Sequence, residues 1–384
     1  MPTLLPQLFD ESHEVFRQVC RSFAERHIAP HADAWEEAGS FPRELYGAAA
    51  EAGVLAPTFP EALGGGGGDA LHGVIAGEEL QRGGSTGTVV GLTGSLSIAL
   101  PPILTLGTEA QIAHFVPPVL RGEHIAALAI TEPGTGSDVA AVRTRARRDG
   151  DHYVLDGSKT FITSGLRADL LTVLARTSDD PHGGLTFFVV PGDAEGLGKG
   201  PPLRKTGWWA SDTAELHFDG VRVPVDHRLG DEGSGFVALM QNFVNERLML
   251  ATNGLALASI SLEHAVAYAK QREAFGRPIA KHQVIKHKLA TMATQVASCR
   301  ALVYAVADRM RHGEPVLAEV AMAKNHASDV ARDVCWEAVQ VFGGMGYMRE
   351  TVVERFARDA RLLPIGGGTQ EIMNEIIARY GLGL

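Results

Sequence analysis

Cysteine is scarce in this chain of 384 residues: three occur, Cys20, Cys299 and Cys335. They are odd in number, far apart and form no C-x-x-C, which argues against a disulfide framework or a cysteine metal site. No metal site is expected. Cys299 falls on an apolar helical stripe and reads as a small buried hydrophobe. A basic surplus is also missing. The formal net charge is −10, and without a basic stripe to neutralise phosphates general nucleic-acid binding is excluded. No uninterrupted run approaches the ~18 apolar residues of a membrane span. Met1–Glu14 lacks a basic n-region and a long apolar run, so no signal or transit peptide is expected. A cytoplasmic location is the default expectation. The run Gly64–Gly68 fails G-x-G-x-x-G in every frame and has no following Lys-Ser/Thr, so it reads as a turned loop, not a phosphate cradle.

What remains is an ordinary globular composition, 45% hydrophobic and 21% charged, long enough for more than one domain. Three textures divide it. Residues 1–125 read as helical, with amphipathic pieces at Ser12–Ala29 and Leu71–Gln81. Residues 126–232 carry short β-branched or aromatic runs at Ala126–Thr131, His152–Leu155, Leu170–Leu174, Leu185–Val190 and Ala214–Phe218, separated by turns. No long helical patterns interleave with them, so an antiparallel barrel or sandwich is preferred over a parallel doubly wound sheet. Residues 233–384 are helical again. Ile285, Leu289, Met292, Val296, Cys299, Val303, Val306 and Met310 alternate by four and three, the seam of an antiparallel bundle. The fold class expected is α+β.

One residue interrupts the apolar logic. In a helix expected from about Gly235 to Lys270, Leu239, Phe243, Glu246, Leu250 and Leu257 share one stripe. A carboxylate among apolar neighbours resists ionisation, so its pKa rises, which suits a general base working near neutral pH. A buried glutamate paired with an arginine, or one facing a crevice, fits the same pattern. Arg247 projects about 100° away, so the two are not a simple pair along the helix. Two glycine-dense segments, Gly343-Gly344-Met345-Gly346 and Gly366-Gly367-Gly368 before a helix at Gln370–Arg379, suit close approach of a ligand to the backbone; ordinary caps or loops fit them equally.

Six motifs in family order then resemble the FAD-dependent acyl-CoA dehydrogenases across essentially the whole chain. They are the segments Ile130–Asp138, Gly157–Gly165, Thr213–Leu216 with Val221–Pro224, Arg272–Ile279, Gln340–Tyr347 and Arg358–Ile372. Pro60-Glu61 followed by Gly64-Gly65 resembles the N-terminal loop. The resemblance implies a helical N-terminal domain, a central β domain and a C-terminal four-helix bundle, assembled as a homotetramer. It implies noncovalent FAD, with Thr131 and Ser137 reaching the flavin and its phosphates, Phe161 flanking the ring and Thr163 near its polar edge. Arg272, Phe275, Gln283, Gln340, Gly343 and Gly344 complete that site, partly from a neighbouring subunit, with Thr369 and Glu371 at the last FAD contact, where Glu371 replaces a common glutamine. Ser137, Arg247 and Gly368 match positions that contact the thioester substrate.

Many members carry their catalytic base, a glutamate, at the position of Gly367. Glycine has no proton-accepting side chain. In the isovaleryl- and long-chain-type branch the glutamate sits instead on a bundle helix just before an Arg-Leu pair, and Glu246-Arg247-Leu248 fits that pattern. The stripe and the resemblance reach Glu246 by separate routes. The implied reaction is α,β-desaturation of an acyl-CoA, with electron-transfer flavoprotein as acceptor. The backbone N–H of Gly367 survives as a donor to the thioester oxygen, and the missing side chain leaves room for a medium-to-long or branched acyl chain. Trp209, in Trp208-Trp209, stands where many relatives have an arginine, close to the substrate and flavin side. Rival readings are a carrier-protein-tethered acyl dehydrogenase, an acyl-CoA oxidase and a non-enzymatic flavoprotein scaffold.

Overall fold

The computed structural model describes residues 4–384. The N-terminal region is built on α1 (Glu11–Phe23), α2 (Ala70–Leu80) and α3 (Glu109–Leu120) with shorter helical pieces between them. The starts of α1 and α2 are set by Asp10 and Asp69, whose carboxylates accept the free N–H groups of the first turn while His13 and His72 reach back to the caps. The expected helix at 12–29 continues beyond α1 as a π-type turn, Ala24–Ile28.

The stretch Thr86–Leu106 corrects the reading of long apolar runs. With a mean hydropathy of 1.7 it is long and apolar enough to cross a membrane, as is Gln283–Arg311 at 1.2. Serine, threonine and glycine between the apolar residues of Thr86–Leu106 hid its continuity. In the fold it is broken by a π-type turn at Val90–Gly94 and packed inward: Asn242 Nδ2 donates to Ile98 O (3.0 Å) and Thr172 Oγ1 to Ala99 O (2.8 Å).

An eight-stranded, mostly antiparallel sheet follows. Its strands are β1 (Ala126–Ala129), β2 (Arg145–Asp149), β3 (His152–Thr163), β4 (Leu170–Arg176), β5 (Leu185–Pro191), β6 (Leu197–Lys199), β7 (Thr213–Pro224) and β8 (Arg228–Leu229), in the order β6-β7-β3-β2-β4-β5-β8. The exceptions to antiparallel pairing are β1 on β4 and a single β2–β4 pair. Strands β4 and β5 read as unbroken apolar runs because both faces are covered. Leu171, Val173, Phe188 and Val190 point into the sheet's own core, while Leu170, Leu174, Phe187 and Val189 pack against the N-terminal helices. Strand β2, Arg-Ala-Arg-Arg-Asp, was not foreseen: only Ala146 faces inward, so it shows no apolar alternation.

The C-terminal region contains three long helices, α4 (Gly235–Gln271), α5 (Gln283–Arg311) and α6 (Leu317–Phe342), followed by the short α7 (Val352–Asp359) and α8 (Gln370–Ile376), the last packed on α6. The expected seam of α5 is buried from Met292 to Val306, Cys299 included, with Ile285, Leu289 and Met310 half-buried at its ends. Helix α4 positions the site. Its first turns, with Ala238 and Leu239, belong to the core shared with the N-terminal helices and sheet; from Leu248 onward it belongs to the bundle. Glu246 lies at that handover.

Candidate active site

The carboxyl of Glu246 makes no hydrogen bond or ion pair among the described residues. Leu239, Leu250 and Leu257 on the same stripe are buried, and burial pushes the Glu246 pKa up to about 7, against the opposing pull of Arg247 and Lys324. Arg247 is itself buried, at 3% exposure. Its Nε has no hydrogen-bond partner, its guanidinium lies 5.4 Å from the Phe243 ring centre, and burial lowers its pKa. Although adjacent in sequence, the two do not pair, as their divergence along the helix predicts.

The loop Gly366–Gly368 closes over this carboxyl. A Cβ placed on Gly367 would stand 3.4 Å from Glu246 Oε1 and 3.6 Å from its Cδ. The helix position and the loop position therefore face one another. Gly367 and Gly368 have φ of +63° and +90°, the left-handed region that favours glycine. The room expected from the missing side chain is largely taken: the same Cβ would come within 2.5 Å of Leu250 Cδ1. One contact was missed by sequence reasoning. Lys324 of α6 is fully buried and its ammonium donates to Gly368 O. The signal was available, since Lys324 sits among buried Val320, Ala321, Ala327 and Ala331 on a helix, the same anomaly that singled out Glu246. Asn325 Nδ2 adds bonds to Gln370 O (3.2 Å) and Asn374 Oδ1 (2.9 Å), tying α8 to α6.

The other anticipated positions fall into separate groups. Thr131 meets the Phe161 segment directly, since Thr160 N donates to Thr131 O at 2.8 Å. Phe161 is 68% exposed with φ +60°, turned outward by a bulge in β3 between Lys159 and Ile162, and Thr163 follows it half-buried. A large aromatic held exposed in a disfavoured backbone conformation is poised for a ligand or partner. Ser137 is exposed on the turn after β1, where Gly134 and Gly136 leave open space. Arg272, Phe275 and Gln283 share the small hairpin of β9 (Glu273–Ala274) and β10 (Arg277–Pro278) and the start of α5; Phe275 is 95% exposed at φ +54°. Gln340, Gly343 and Gly344 close α6, with open space where a Cβ would stand on either glycine. Among the described residues no hydrogen bond, ion pair or ring contact joins the hairpin group to the Thr131–Phe161 group. Thr369 caps α8 through Ile372 N (3.3 Å). Exposed Glu371 follows it, its carboxyl held below the usual range by its own backbone N–H and by Thr369. The exposed aromatics and side-chain-free backbone fit a large flat cofactor with an anionic tail.

Trp209 is held by two arginines and two carbonyls. Its indole lies 4.2 Å from the Arg349 guanidinium and 3.6 Å from that of Arg358, and its Nε1 donates to Lys205 O (2.8 Å) and Thr206 O (3.0 Å).

Sequence and structure comparisons agree with this architecture. The family models for the acyl-CoA dehydrogenase N-terminal, middle and C-terminal domains match residues 10–123, 127–221 and 233–382. The chain is 40% identical to the mitochondrial long-chain specific acyl-CoA dehydrogenase of Sus scrofa, over 97% of this chain and 87% of that protein. Among solved structures, a probable acyl CoA dehydrogenase from Mycobacterium abscessus superposes with a TM-score of 0.95 at 48% identity, covering 97% of this chain and 99% of that one. A glutaryl-CoA dehydrogenase from Mycobacterium smegmatis in complex with FADH2 gives 0.91 at 28% identity, covering 98% and 96%. The protein is thus a flavin-dependent oxidoreductase acting on acyl-CoA. It belongs to the acyl-CoA dehydrogenase family.

Proposed function

We propose that this enzyme desaturates a medium-to-long or branched acyl-CoA at the α,β bond, with Glu246 as the base. The supporting observation is the partnerless Glu246 carboxyl, lifted to about pKa 7 and 3.4 Å from where a side chain on Gly367 would begin. FAD, when bound, supplies the acceptor for the β-hydride. Glu246 takes the α-proton onto a carboxylate oxygen. The thioester oxygen, which gains negative charge as that proton leaves, is met by the N–H of Gly367, a donor fixed before the reaction by the left-handed loop. Arg247 and Gly368 line the thioester, together with Ser137. Leu250 bounds the acyl pocket beside the α-carbon, so branching is accommodated further along the chain than position 367.

Thr131, Ser137, Phe161 and Thr163 hold the flavin end of FAD, with Thr369 and Glu371 near it. Arg272, Phe275, Gln283, Gln340, Gly343 and Gly344 embrace the remainder, partly from a neighbouring subunit of a homotetramer. Electrons leave to electron-transfer flavoprotein.

Glu246→Gln tests the assignment: FAD is retained while anaerobic flavin bleaching by the best acyl-CoA slows by about 10²–10⁴-fold. Near-normal bleaching in that variant rules the base out. A panel of straight and branched acyl-CoAs, with carrier-protein thioesters as the competing arm, identifies the substrate. Admitting air after reduction separates a dehydrogenase from an oxidase.

A further inference from the structure

We propose that Lys324 is a positioning residue for this reaction: its ammonium holds the Gly366–Gly368 loop by the Gly368 carbonyl and keeps the Glu246 carboxyl in its proton-accepting form. The inference rests on the assignment of Glu246 as base and deepens it.

A lysine is rarely enclosed completely unless its charge is used. Lys324 is fully buried, and among the described residues its ammonium donates to Gly368 O. That carbonyl belongs to the segment whose next residue, Thr369, caps α8, and whose preceding residue, Gly367, faces Glu246. Holding it pins the orientation of consecutive peptide groups in a loop that, being all glycine, has little rigidity of its own. The charged groups around the pair are few. Glu246 feels Arg247 from its own helix and Lys324 from α6; Lys324 feels Glu246 and Arg247 on α4 and Glu371 at the start of α8. Burial brings Lys324 down to about 8, and Glu246 and Glu371 oppose that fall, so it still carries its proton near neutral pH. A base in an apolar pocket has two conflicting needs: it must hold a proton well and yet be free of one when substrate arrives. Burial supplies the first; the two cations supply the second. Among the described residues Arg247 provides charge without a hydrogen bond to the loop, whereas Lys324 provides both.

Two substitutions separate the functions. Lys324→Gln keeps a donor for Gly368 O but no charge; Lys324→Met keeps neither. In both, the acid limb of the flavin-reduction profile moves up by about one pH unit, which slows reduction about tenfold below the midpoint. Lys324→Met also loses plateau rate at high pH, because the loop is no longer held. Turnover is not the only readout. The infrared band of the protonated carboxyl that disappears in Glu246→Gln, followed against pH, reports the Glu246 titration directly and moves by the same amount. An unmoved midpoint in both measurements, with only thermal stability lowered, overturns the proposal and leaves Lys324 as packing. If neither variant retains flavin, Lys324→Arg decides, since a charge kept in place must preserve the wild-type midpoint and a displaced one refutes the idea. Failure of Glu246→Gln to slow reduction would sink the base assignment instead, while the infrared titration still reports whether the lysine and the glutamate are coupled.

Discussion

Two glutamates in this protein, Glu132 buried and Glu246 half-buried, lie near a buried lysine, yet their environments do opposite things. Glu132, in the turn after β1, accepts from Arg143 N (2.7 Å), Thr144 N (2.8 Å) and Lys159 Nζ (2.9 Å). Burial alone would raise its pKa, but Lys159 and the backbone donors outweigh that and hold it below the usual range. Glu246 has no donor among the described residues, and burial lifts it to about 7. The more enclosed of the two is thus the stronger acid, and enclosure by itself does not make a base. What distinguishes the reactive carboxyl is that, among the described residues, nothing hydrogen-bonds to its charged form.

The sharpest break of this comparison is kinetic: Glu246→Gln loses the 10²–10⁴-fold in flavin reduction described above, whereas Glu132→Gln leaves the chemical step close to wild type in whatever fraction remains folded. Stability should move in opposite directions. Glu132→Gln removes one partner of a buried pair and costs about 3 kcal/mol in denaturant unfolding. For Glu246 the folded pKa is raised, so its favourable term is present below the unfolded value near 4.5 and is lost as pH rises through about 7. Glu246→Gln should therefore be more stable than wild type at pH 8–9, by on the order of 1–3 kcal/mol, and indistinguishable at pH 4. A loss of stability at pH 8 would mean that Glu246 has a partner after all. In the wild-type enzyme, flavin reduction should rise about tenfold per pH unit below pH 7 and level off above it, as the carboxyl gives up its proton; a rate independent of pH from 5 to 8 contradicts the assignment. The smallest effect concerns geometry. In the Glu246→Gln background, Gly367→Glu together with Leu250→Ala should restore a few-fold of the lost rate, and Gly367→Glu alone should restore less. The added side chain otherwise meets Leu250 within 2.5 Å at φ +63°.

Much of this was legible from the chain. Helical and strand patterns separated the helical regions from the sheet, and a charged residue on an apolar stripe pointed to Glu246. Lys324 obeyed the same rule and was overlooked, because a lysine among alanines resembles an ordinary helix surface until its neighbours are known to be buried. Strand β2 stayed hidden because its pairing with β3 depends on backbone bonds, not on apolar side chains. The crowding of Leu250 against Gly367 could not be read either: it joins α4 to a loop more than a hundred residues later, a contact that no local spacing encodes. For the same reason the partners of Trp209 were out of reach: Arg349 lies outside every motif, and Arg358, although it opens the last one, is far from Trp209 in the chain.

The pairing of β3 with β7 carries one more lesson. From Lys159 to Ile162 the chain advances three positions while β7 moves two, from Leu216 to Ala214; from Leu155 to Gly157 the imbalance is reversed, two against three, from Val221 to Phe218. The two irregularities cancel, so His152 opposite Pro224 and Thr163 opposite Thr213 are as far apart on one strand as on the other. Excising Thr160 alone would make the count between the Lys159–Leu216 and Ile162–Ala214 pairs two against two, which removes the bulge, leaves the faces beyond it unchanged and returns Phe161 to the ordinary zigzag.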